Sequence, residues 1–212
     1  MSHQATPELE RGSWTRIVRE RLARGLPIES LLPDRQPVYV GSWVYVFGVI
    51  TIAALVWVIA SGVVLSVFGP QWWHTTPAGR FFNSLHFWSV QLLFVFMVLH
   101  LWGVFFMAAW REGRAPTWMI GAVIFLVSIG AAFTGYLAQQ NLDSQWIAVN
   151  AKDAMNSSGV GGFFNVLNFG QMYGLHVMVI PVAVTILVVV HIVQVRMHGV
   201  VAPIDSPREE SE

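Results

Sequence analysis

Residues 86–100 read HFWSVQLLFVFMVLH, and residues 176–191 read HVMVIPVAVTILVVVH. Neither run holds a charged residue, and each opens and closes on histidine. On a helix, the 14 residues from His86 to His100 fall about 40° short of four full turns, with a rise of ~21 Å. The 15 residues from His176 to His191 overshoot four turns by about 60°, with a similar rise. Each pair therefore shares one helix face at two separate depths. An ionisable residue inside a membrane span is costly and reads as functional by default. One such histidine is equally well explained by a satisfied interhelical hydrogen bond, but four at matched spacing are not.

The rest of the chain supports a membrane setting. Of its 212 residues, 55% are hydrophobic and only 11% are charged, against about 25% in a soluble domain. No Asp, Glu, Lys or Arg occurs between Arg35 and Arg80, Arg80 and Arg111, Arg114 and Asp143, or Asp153 and Arg196. Each gap holds more than the ~20 apolar residues of one span. The fold class is therefore all-α integral membrane, with helices expected over 43–67, 82–108, 117–138 and 170–195. The connections 68–81 and 109–116 are short, and 139–169 is a long, polar, glycine-rich loop. The chain divides into a tail at 1–40, a four-helix core at 41–197 and a second tail at 198–212.

Orientation follows from the basic residues. Ten lie in the first tail, the 109–116 connection and the stretch from Arg196 onward, whereas the opposite side has only Arg80 and Lys152. The positive-inside rule then places both termini in the cytoplasm of a cell with the protein in its inner membrane. Within the first tail, SWTRIVRERLARGLP (13–27) fits an amphipathic helix on an anionic lipid surface; a solvated tail helix fits as well. The first 40 residues lack an early apolar run, so a cleaved signal peptide is not expected. Zero net charge and scattered arginines give no nucleic-acid footprint.

With both histidine-bearing helices running inward from the outer side, His86 lies level with His176, and His100 with His191. Two facing imidazoles, without thiolates or carboxylates, suit bis-imidazole haem iron better than zinc or carboxylate di-iron sites. The chain has no cysteine, which excludes covalent CxxCH attachment, disulfides and iron–sulfur clusters. The two helices without histidines carry glycines at the same interval: Gly48 and Gly62 on the first, Gly121 and Gly135 on the third. Glycine lets a flat macrocycle approach the backbone; alone, such a pair is also ordinary helix packing. The expected product is a four-helix bundle enclosing two non-covalent haems b.

These residues resemble the cytochrome b family over about 14–200. The carriers are the two histidine runs, the two glycine pairs and TWMIGAVIFLVSIGAAFTGY (117–136). The 15-residue interval, with Pro181 five after His176, is similar to the short, split cytochrome b of bf-type complexes. The resemblance implies that His86 and His176 ligate an outer, lower-potential haem, and that His100 and His191 ligate an inner one. It implies electron transfer across the bilayer linked to quinone, in a dimeric bc-type complex. Partners would be membrane lipid, a Rieske protein, cytochrome c and a separate C-terminal cytochrome b subunit. Arg80 and Arg114 are the candidate propionate or quinone contacts, against plain positive-inside anchoring for Arg114.

The departures are specific. Asn83 stands where the family usually has arginine, and Arg80 lies one turn further out. After Gly135-Tyr136 comes LAQQNLDSQW (137–146) in place of a proline–tryptophan stretch that shapes the outer quinol site. The bf-type haem-attaching cysteine is absent. A second reading therefore keeps both haems but makes the chain the membrane anchor of another oxidoreductase, such as a nitrate reductase or dehydrogenase. A third, a haem-free transporter or scaffold, would need charged partners in the spans, and none are there.

Overall fold

The computed structural model describes residues 43–202. The surface helix expected in the first tail, and everything from residue 203 on, lie outside the described residues. Four helical stretches are long and apolar enough to cross a bilayer. They are α1 (Trp43–Thr75), α2 (Pro77–Phe106), α3 (Ala115–Ala138) and a composite last span. That span joins α5 (Phe169–Gly174), a π-helical turn (Leu175–Val179) and α6 (Ile180–His198). Between α3 and α5 lies α4 (Leu142–Ser157), in this numbering the only helix of the described residues that is not part of a span. A lipid environment forces this outcome, because a helix satisfies all of its backbone groups internally. Outward-facing side chains such as Val67, Leu126 and Met178 stay exposed and apolar, as lipid contact requires.

Two connections differ from the sequence reading. The 68–81 stretch is not a loop. Helix continues to Thr75 through a kink at Gly69 (φ 78°, ψ 174°), a conformation open to glycine, followed by Pro70. A new helix starts almost at once, with Pro77 in its first turn and the Thr76 hydroxyl accepting from the Gly79 N–H at 3.0 Å. Gly79 sits directly against the Trp72–Trp73 backbone, where a Cβ would have no room. The polar 139–169 stretch likewise contains α4. Asn141 caps it, accepting from the Ser144 N–H at 2.8 Å. Its Ala148 packs with Leu137, Val166 and Met172, which anchors α4 across the end of α3.

The bundle is two tight helix pairs rather than four equal neighbours. α1 packs along α2, and α3 packs along the last span; the contact between α2 and α3 is slight. The pairs thus leave space between them. Midway along α1 and α2 that space is closed by Ala54, Leu93 and Met97, with Phe94 reaching Phe125 of α3 at a ring separation of 6.3 Å. Towards the α4 end it opens into a cavity of about 470 Å³.

Candidate functional site

The cavity near α4 is lined by all four spans, and His86, His176, Gly62 and Gly135 all face it. The His86 and His176 rings stand 6.1 Å apart, nearly perpendicular at 87°. The other two histidines occupy the far level, His100 beside Gly48 and His191 beside Gly121. The structure therefore brings His86 and His176 to one cavity and sets each of the four histidines against one of the four glycines.

The glycines do a more specific job than the one first read from them. A Cβ at Gly62 would lie 3.2 Å from His86 Cε1, and one at Gly48 would lie 3.1 Å from His100 Cε1. A Cβ at Gly121 would meet His191 Cε1 at 3.2 Å, and one at Gly135 would overlap the His176 ring. Each glycine is thus a seat for the imidazole edge of the neighbouring helix.

Seating also decides the tautomer. His176 Nδ1 lies 2.9 Å from the Ala131 carbonyl oxygen, and His191 Nδ1 lies 3.0 Å from that of Thr117. His86 Nδ1 lies 3.1 Å from the Val58 carbonyl oxygen. Each of these carbonyls belongs to the residue four before the seating glycine. That carbonyl already serves the glycine's own N–H in the helix, and the missing Cβ opens its second lone pair to a neighbour. A carbonyl can only accept, so Nδ1 carries a proton, and in the neutral ring Nε2 then keeps a free lone pair. His100 is the exception: its Nδ1 is buried without a hydrogen-bond partner among the described residues.

The 15-residue interval is resolved by the π turn. His176 lies within it, and the Ile180 N–H bonds back five residues to the Leu175 carbonyl. Pro181 has no N–H to continue an α ladder there. The one extra residue takes back about 100° of rotation, so 15 residues turn His191 about as far as 14 α-helical residues would. Both histidine pairs then share the same offset, about 40° short of four turns.

The two arginines are less central. Arg80 is exposed, with its guanidinium 3.4 Å from the His74 carbonyl oxygen. Arg114 pairs with Glu112 at 2.8 Å. The edge of the cavity is held instead by Asn83 and Gln139, whose side-chain amides exchange hydrogen bonds at 3.0 and 3.3 Å. They tie the start of α2 to the end of α3. Sequence reasoning noted Asn83 only as a replaced arginine. It also missed Ser61, whose hydroxyl lies 3.0 Å from His86 Nδ1. A hydroxyl residue directly before a seating glycine was the available signal.

Comparison with known proteins agrees with this geometry. The family model described as cytochrome b (N-terminal)/b6/petB matches residues 91–212. Cytochrome b6 of Heliomicrobium gestii is 29% identical over 136 residues, covering 59% of this chain and 64% of that protein. The menaquinol:cytochrome c reductase cytochrome b subunit of Geobacillus thermodenitrificans is 26% identical over 186 residues, covering 77% and 83%. A solved structure titled hyperthermophilic respiratory Complex III superposes with a TM-score of 0.70 at 20% identity, over 92% of this chain and 57% of that one. The family match covers more than half of the chain: this multi-pass membrane protein belongs to the cytochrome b (N-terminal)/b6 family, whose cofactor is non-covalent haem b.

Proposed function

We propose that the chain is the dihaem electron-transfer subunit of a quinone-linked bc-type complex. In this reading His86 and His176 hold the outer haem, and His100 and His191 hold the inner one. The observation that supports it is that each of four imidazoles sits against a glycine, with His86 and His176 6.1 Å apart and three of the four having Nδ1 tied to backbone. Bound haem supplies one-electron chemistry, and two haems stacked in depth carry electrons across the bilayer.

The residues fit that group. His86 and His176, with ring centres 6.1 Å apart, would hold the group between them, and it would supply the iron for their free nitrogens. No group of three or more His, Cys, Asp or Glu occurs among the described residues. A bare ion would lack ligands at either level, whereas a porphyrin brings its own four. The protein's part is to orient the imidazoles, exclude water and separate the two levels with Leu93, Met97 and Phe125.

The matched part spans only 64% of the heliobacterial relative. We assign the complete quinol-oxidising site to an assembly, with a C-terminal cytochrome b subunit, a Rieske protein and cytochrome c as proposed partners. The basic-residue bias supports both termini in the cytoplasm and α4 on the outer face. Pyridine haemochrome assay after acid–acetone extraction tests the reading. Two extractable haem b per chain are expected; one, none, or haem left on the polypeptide would overturn it.

A further inference from the structure

The four histidines are not equally bonded. Among the described residues His100 Nδ1 has no acceptor, while His176 and His191 each have one backbone carbonyl. His86 alone has two oxygens in reach, the Val58 carbonyl at 3.1 Å and the Ser61 hydroxyl at 3.0 Å. Ser61 is 2% exposed, so water does not compete for it. Its own hydroxyl proton goes to the backbone carbonyls of its helix, Trp57 at 2.6 Å and Val58 at 3.1 Å. The Ser61 oxygen therefore meets His86 as an acceptor. The residues before the other seating glycines do not repeat the arrangement. Phe47 and Ile120 have no hydroxyl, and the Thr134 hydroxyl, which like that of Ser61 bonds the carbonyls three and four residues back on its own helix, makes no hydrogen bond to His176 among the described residues.

We infer that Ser61 is a positioning residue that, through His86, lowers the reduction potential of the outer haem relative to the inner. The inference rests on the ligand assignment proposed above. An acceptor on Nδ1–H draws the ring towards imidazolate and makes Nε2 a stronger donor. A stronger donor favours the oxidised iron. At the outer level the effect is greatest on His86; at the inner level His100 receives none of it. The asymmetry lies in this chain's side chains and needs no partner subunit.

The test is a redox titration of the membrane-bound, haem-loaded full chain, with wild type, Ser61→Ala and Ser61→Thr compared by difference spectra and low-temperature EPR. Wild type must first show two haems, one of them lost in His86→Leu; failure there counts against the ligand assignment instead. Given that result, Ser61→Ala should raise the outer potential and shift the outer low-spin EPR signal, with the inner haem unchanged. Ser61→Thr, which keeps the hydroxyl, should stay near wild type. If Ser61→Ala sheds the outer haem while Ser61→Thr keeps it at its low potential, the hydroxyl is still the cause. An unchanged potential in Ser61→Ala, or the same loss in both variants, overturns the inference.

Discussion

His176 donates from Nδ1 to the carbonyl oxygen of Ala131 at 2.9 Å, and Gly135, four residues further along α3, has no side chain to prevent it. The same unit recurs between His191 and the Thr117–Gly121 turn, and between His86 and the Val58–Gly62 turn. An imidazole of fixed orientation, protonated at Nδ1, is thus produced by one missing Cβ and one shared carbonyl.

Gly135 is the tightest of these seats, since a Cβ there would overlap the His176 ring. Gly135→Ala should therefore weaken outer-haem affinity by about tenfold or more, the scale seen when support behind a metal ligand is lost. Gly48→Ala, Gly62→Ala and Gly121→Ala begin from looser contacts near 3.1–3.2 Å and should be milder. Haem content per chain after detergent purification ranks the four. Equal haem content in all of them would show that the glycines serve helix packing alone.

The π turn makes a register claim. Deleting Ile186 from α6 should rotate His191 by about 100° away from its partner and abolish the inner haem. Deleting Val179 together with Pro181→Ala should let the turn relax to α-helix, restoring a 14-residue interval and keeping both haems. Spectra of the two deletions separate the cases. Identical behaviour would contradict the compensation described here.

The Asn83–Gln139 clasp closes the cavity edge between α2 and α3, which otherwise touch little. Removing one partner strands the other amide, at a cost of about 1–3 kcal/mol. Asn83→Ala should lower the thermal midpoint of the haem-loaded protein, and the double variant with Gln139→Ala should lose less than the sum of the two single changes. Strict additivity would mean that the amides do not act as a pair.

Much of the site could be read from the residues themselves. Charge-free gaps gave four spans, and the repeated interval gave His86, His100, His176, His191 and the four glycines, because helical rotation and rise depend only on residue count. What count alone could not show was which atoms the glycines face. Clearance for a macrocycle and a seat for an imidazole demand the same missing Cβ. The π turn was invisible to periodicity, although the 15-residue interval and Pro181 marked its place. α4 was hidden because Asn141, Gln145, Asn150 and Asp153 read as loop, and the contact of Ala148 with Leu137 becomes visible only in three dimensions. Asn83 gained its role from Gln139, 56 residues away.

The pairing of histidines across the two levels is the central claim, and ligand replacement followed by redox titration tests it most directly. His86→Leu and His176→Leu should each remove the same haem, and His100→Leu and His191→Leu should each remove the other. The surviving haem should keep its wild-type potential in every case. If His86→Leu and His191→Leu, which lie about 20 Å apart in depth, abolish one and the same haem, the two-level arrangement is wrong.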